Sequence, residues 1–223
     1  MFIPLYDHNP RAHIRRPYVT WALIALNAAI FLLVEAGGMA RAVNAAALAH
    51  GAVPILFSAP TAETYASLVT YAFLHGDFWH LAGNMLFLWI FGDNVEDALG
   101  HLRYLIFYFL CAAVGALVHI VMLPQSNVPV IGASGAVAGI VAAYLMLHPH
   151  VRVWVLVLAR IPVPVPAYWF LGAWIAFQIY MVLQPVGETV AWWSHIGGLA
   201  AGAMLVMIMR RPGVPLFARR PSR

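Results

Sequence analysis

Ile131-Gly132-Ala133-Ser134-Gly135-Ala136-Val137-Ala138-Gly139 sets one hydroxyl among small residues, at the opening of a run from Ser134 to Leu147 that carries no charge. Such a run suits a helix surrounded by lipid or protein rather than by water. Ser134 is then either packing filler bonded back to its own helix or a nucleophile kept away from bulk water. Two further polar clusters, His80 with Asn84 and Ser194 with His195, also open apolar runs. The question is whether the three openings lie on one side.

Composition assigns the class. Hydrophobic residues make up 63% of the chain and charged residues 9%, with a mean hydropathy of +0.83, whereas roughly a quarter of a soluble domain is charged. The chain is therefore expected to be an all-α integral membrane protein. Its 223 residues hold about six spans of about 20 residues each, as one domain. The expected division is a cytoplasmic tail over 1–17, a six-helix membrane domain over 18–210 and a basic cytoplasmic tail over 211–223. Cys111 is the single cysteine, so no intrachain disulfide forms, and its apolar setting reads as a small buried hydrophobe. The net charge of +4 comes from arginines bracketing apolar runs, which points to anionic lipid headgroups rather than nucleic acid as the partner.

Six apolar segments follow one another: about Tyr18 to Val34, Phe78 to Phe91, Tyr104 to Leu123, Ser134 to Leu147, Pro166 to Leu183 and Val190 to Met209. Pro124 and Pro129 break the chain before the fourth. The second and fourth are short for full spans, and short segments at membrane depth hint at a cavity inside the bundle. The polar stretch before the first segment reads as part of a retained anchor rather than a cleavable signal.

Arginine placement gives the orientation. With the N-terminus inside, the inner flanks hold Arg11, Arg15, Arg16, Arg103, Arg152, Arg160, Arg210, Arg211, Arg219, Arg220 and Arg223, against Arg41 alone outside. Segments two, four and six then all begin at the outer face. His80, Asn84, Ser134 and His195 fall at similar depth beneath it.

Ser134 needs a base, and His195 is the nearest candidate, because neutral imidazole accepts a proton at physiological pH. Gly135 with Gly139 and Gly198 with Gly202 form two small-xxx-small pairs that let segments four and six pack closely. His80 and Asn84 are four apart and share a helix face. With the backbone N–H of Ser134 they can supply an oxyanion hole. The duller readings are plain: glycines that only pack, a serine bonded to its own helix, or His75, His80 and His195 around a metal. No carboxylate or cysteine stands at helical spacing to complete such a metal site, so neither metal nor cofactor is expected. His119 reads as a core residue, His101, His148 and His150 as inner-loop residues, and Asp93, Glu96 and Asp97 with Arg103 as a solvated turn. Trp169, Phe170 and Trp174 read as ordinary lipid-facing or core aromatics.

His75-Gly76-Asp77-Phe78-Trp79-His80-Leu81-Ala82-Gly83-Asn84, Gly132-Ala133-Ser134-Gly135 and His195-Ile196-Gly197-Gly198-Leu199 through Gly202 together resemble the signature blocks of the rhomboid intramembrane serine proteases, in order and in segment. The resemblance implies a six-helix bundle, Ser134 as nucleophile, His195 as base, His80 and Asn84 in the oxyanion hole, and substrates that are transmembrane proteins. It extends to Glu96, Gly100 and Arg103 of the inner loop, and likens 37–77 to that family's partly embedded first outer loop. Two positions depart from the pattern. Ala138 stands where many members carry an aromatic ring under the histidine, and Ser194 where alanine is usual. No third acid is implied. The expectation is an intramembrane endopeptidase with a Ser–His dyad in a bacterial cell membrane, its site opening outward. The alternatives are a catalytically silent rhomboid-like binder and a small transporter, and no oligomeric state follows.

Overall fold

The computed structural model describes residues 2–35, 39–158, 160–184 and 190–218. Glu188, Arg219, Arg220 and Arg223 lie outside them. In chain order the elements are β1 (Phe2–Asp7), α1 (Tyr18–Glu35), α2 (Met39–His50), α3 (Ala62–Thr70), α4 (Phe78–Leu99), α5 (His101–Met122), α6 (Ser134–Leu147), β2 (Arg152–Val157), β3 (Ile161–Pro166), α7 (Ala167–Val182) and α8 (Trp192–Met209). All six apolar segments are helices. His101–Met122 and Trp192–Met209 are long and apolar enough to cross a membrane alone; Tyr18–Val34, Ser134–Leu147 and Ala167–Val182 are apolar but shorter.

Side chains are distributed as a lipid solvent requires. Trp79, Trp89, Leu33, Val121 and Ile208 are exposed, while Thr20, Asn27, Asn84, Glu96, Gln178 and His195 are buried. Polar groups face inward because hydrocarbon offers them no hydrogen bonds.

α6 lies at the centre, packed against α4, α5 and α8. The expected glycine pairs explain how: a methyl added to Gly198 would collide with the carbonyl oxygen of Gly135, and one on Gly202 with that of Gly139. Gly115 of α5 faces the Ser194 carbonyl oxygen in the same way. Backbone thus meets backbone along α8, and a β-carbon would separate the helices.

α4 continues past Phe91 to Leu99, and its last turns correct the expectation of a solvated turn. Glu96 is fully buried. Its carboxylate accepts from the backbone N–H of Val19 at 3.0 Å and of Thr20 at 2.8 Å, and from the Thr20 hydroxyl at 2.6 Å. Those N–H groups open α1 and have no partner within it, so a distant carboxylate caps them. Asp97 likewise accepts from the backbone N–H of Ala12, His13 and Ile14, and Asp93 pairs with Arg11 at 2.5 Å.

The first connection is mostly helical. Besides α2 and α3 it holds single 3-10 turns at Pro54–Ser58 and Tyr71–Phe73. Ala52 bridges Val130, and the Tyr71 carbonyl accepts from Gly132 N–H at 3.0 Å, so this connection holds the entry to α6.

The fold is not purely α. β1, β2 and β3 form an antiparallel sheet in that order, made from the expected N-terminal tail and the α6–α7 connection. Val153 and Val155 alternate into the core, the period-two pattern of a half-buried strand. Pro162, Pro164 and Pro166 occupy every second position of β3. A proline has no N–H to donate, so these positions lie along an edge where none is needed. The tail after Met209 also packs back: Arg211 N–H donates to the Ala98 carbonyl at 2.8 Å and Phe217 N–H to that of Met146 at 2.6 Å.

Candidate active site

Gly132 carries φ +115°, a conformation that favours glycine, and a methyl there would press on His80 Nε2 at 2.6 Å. The turn it makes delivers Ser134 to the first position of α6, where its backbone N–H is among those without an intrahelical acceptor. His75 supports the turn: Ala133 N–H donates to its Nε2 at 3.5 Å, and its ring meets that of His80 edge to face at 5.1 Å.

Ser134 Oγ lies 2.8 Å from His195 Nε2. The backbone contact of α6 with α8 brings them together, since Gly198 stands one turn beyond His195. Asp77 caps α4 through His80 N–H at 2.9 Å, fixing the start of the helix that carries His80 and Asn84. The Asn84 amide donates to the His80 carbonyl at 3.1 Å, which leaves its second hydrogen free. His80, Asn84, Ser134 and His195 all line one cavity of about 760 Å³, shared with Trp79, Phe87, His119, Trp174, Phe177, Gln178 and Trp192.

Two contributors to this cavity were not anticipated. Gln178 of α7, buried, places Oε1 2.7 Å from His195 Nδ1. Trp174, one turn earlier, lies nearly parallel to the imidazole at 6.4 Å, and Trp192 meets it edge-on at 5.7 Å. Trp174 is therefore a wall of the cavity rather than an ordinary aromatic. The usable signal was that Gln178 is the lone amide in the run from Pro166 to Val182, and an amide at membrane depth needs a partner.

The remaining histidines sort differently. His119 lines the cavity. His101 Nδ1 pairs with Glu96 at 2.5 Å, and His148 stacks edge-on against Tyr144. Among the described residues no group of three or more His, Cys, Asp or Glu is placed to hold a metal. Ser194 Oγ lies 3.5 Å from the Tyr71 hydroxyl, a buried tie between the first connection and α8.

The profile of the Rhomboid domain matches residues 62–212, more than half of the chain. Rhomboid protein 1, mitochondrial, of Saccharomyces cerevisiae is 32% identical over 147 residues, 62% of this chain and 40% of its own. Rhomboid protease GluP of Bacillus subtilis is 27% identical over 210 residues, 92% of this chain and 37% of its own. Rhomboid-like protease 3 of Toxoplasma gondii is 33% identical over 139 residues, 62% of this chain and 49% of its own. The chain thus spans less than half the length of each. The first is named as mitochondrial and the second comes from a bacterium, so the expected bacterial cell membrane draws no support from them.

Proposed function

This chain belongs to the rhomboid family, and we propose that it is an intramembrane serine endopeptidase that cleaves transmembrane proteins in or near their own membrane helices. The observation that carries the reading is the 2.8 Å contact of Ser134 Oγ with His195 Nε2, inside a cavity within a bundle whose outer surface is apolar. A half-buried hydroxyl and a buried imidazole at that distance are the parts of a nucleophile and its base.

In the proposed reaction His195 Nε2 takes the Ser134 proton as Oγ attacks the scissile carbonyl. The oxyanion that forms meets Ser134 N–H at the positive end of α6, with the free amide hydrogen of Asn84 and the ring N–H of His80 as further donors. The imidazolium then protonates the leaving amine, which frees one product and leaves an ester on Ser134. Water, deprotonated by the same imidazole, attacks the ester; the C–Oγ bond breaks, the second product leaves as the acid, and the imidazolium returns its proton to Ser134 Oγ. Nothing in this cycle calls for a cofactor. The six helices each cross the bilayer in this reading, with both flanking tails on the arginine-rich inner side and the cavity opening outward; lipid is the other partner.

The test is labelling of purified protein by a fluorophosphonate, together with cleavage of a helical membrane substrate. Wild type should label and cut, and Ser134→Ala and His195→Ala should each lose nearly all turnover while keeping the fold. Retained cleavage by Ser134→Ala ends the serine-protease reading, and a folded wild type that neither labels nor cuts returns the chain to a rhomboid-like binder.

A further inference from the structure

His195 is held at both ring nitrogens, and the group on the far side of the ring from Ser134 is neither a carboxylate nor the backbone but the amide of Gln178. We propose that Gln178 is the positioning residue of the base, fixing the ring of His195 from α7, so that the dyad is complete only while α7 is seated against α8. The proposal rests on the assignment of Ser134 and His195 as nucleophile and base.

Proton placement makes the first argument. To accept the Ser134 proton, Nε2 must be bare, so the ring hydrogen sits on Nδ1 and needs an acceptor. Oε1 of Gln178 stands 2.7 Å away, and an amide oxygen facing Nδ1 selects that tautomer. Turned about, the NH₂ would favour hydrogen on Nε2, which cannot act as base.

Alternatives among the carboxylates make the second. Asp77 is committed to the N-terminus of α4, and Glu63 sits exposed in the first turn of α3. An ionised acid beside His195 would be desolvated at high cost, whereas an amide offers the same acceptor without a charge.

Geometry makes the third. Leu171, Trp174 and Gln178 recur at helical spacing, and Leu171 and Gln178 are buried. Trp174 packs beside the ring at 6.4 Å and Gln178 anchors its edge, so two side chains of one helix hold the imidazole from the α7 side. α7 packs against α8 and more lightly against α6, while Ile179 and Tyr180 on its other faces are exposed. A displacement of α7 therefore withdraws the anchor and the stacking ring at once.

The experiment compares wild type, Gln178→Leu and Gln178→Glu, purified in lipid, in cleavage of a helical membrane substrate across pH. Gln178→Leu should lower kcat by about 10²-fold with KM nearly unchanged, as a misplaced catalytic group does. Gln178→Glu keeps an acceptor at Nδ1 and should recover most of the lost kcat. Its carboxylate favours protonated imidazole, so the acid limb of the kcat profile should move to higher pH. A residue that merely packs would not move that limb. A wild-type kcat in Gln178→Leu overturns the proposal, as does Gln178→Glu that is folded, as slow as Gln178→Leu and unmoved in pH. If Gln178→Leu does not fold, Gln178→Met, of similar length and without the acceptor, is read by the same two outcomes. Ser134→Ala separates the levels: its inactivity beside a normal Gln178→Leu defeats only the positioning role, and its activity defeats the dyad whatever Gln178 does.

Discussion

Ala138 stands one turn beyond Ser134, and its small side chain fits what surrounds it. It is fully buried in a cluster with Ala142 and Leu199, with Trp174, Ile175 and Ile196 packed on it. The rings beside the histidine thus come from α7 and α8 rather than from α6. Ala138→Tyr should therefore overpack, costing roughly 1–3 kcal/mol, and should lower both Tm and kcat; a second change, Trp174→Ala, should recover part of the Tm by vacating the space. Unchanged Tm in Ala138→Tyr would show the site to be roomier than this packing. That His80, Asn84, Ser134 and His195 would meet in one cavity was legible in the sequence, because polar groups interrupting apolar runs stand out. Gln178 and Trp174 were not, because no spacing rule links residues 174 and 178 to 195. Their meeting depends on how α7 leans on α8, which is a tertiary fact.

Helix-to-helix contact is the next level. The α6–α8 seam was readable from Gly135, Gly139, Gly198 and Gly202. A methyl on Gly198 or Gly202 would meet backbone carbonyls of α6, and backbone cannot rotate aside as a side chain can. Gly198→Ala should part the two helices near Ser134 and His195, lowering Tm and slowing fluorophosphonate labelling by at least tenfold through misplacement. Gly172→Ala, where nothing lies within 4 Å, should leave both unchanged. The sheet escaped the sequence reading for a different reason. Val153 and Val155 alternate for only a few residues, and the prolines of β3 read as a connection until their edge position is seen. The burial of Glu96 and Asp97 was hidden too, since a charged triplet looks solvated until the backbone N–H groups of residues 12–14 and of the first turn of α1 are placed beside it.

At the level of the whole molecule, Asp7 joins the sheet to the bundle. Its Oδ2 accepts from the Tyr144 hydroxyl of α6 at 2.5 Å and from the Asn94 amide of α4 at 3.3 Å. Burial, opposed by the Tyr144 hydrogen bond and aided by the nearby Asp93 charge, pushes the Asp7 carboxyl up from 3.8 to about 7. The folded protein therefore holds a proton at Asp7 that the unfolded chain has released, and stability falls as pH rises from about 4 to about 7. Asp7→Asn cannot ionise, so its Tm relative to wild type should rise through that window and level off above it. A constant difference across the window would remove Asp7 from the linkage. The same strand has a history as well as an energy. β1 is synthesised long before β2, the strand it pairs with, with 144 residues between them. At roughly 5–20 residues per second of translation, it waits on the order of ten to thirty seconds with its pairing edge open. For that interval the newborn chain displays a strand seeking a mate, so defects in β2 would surface in the cell as clipping or capture of the segment that carries β1 before the bundle is complete.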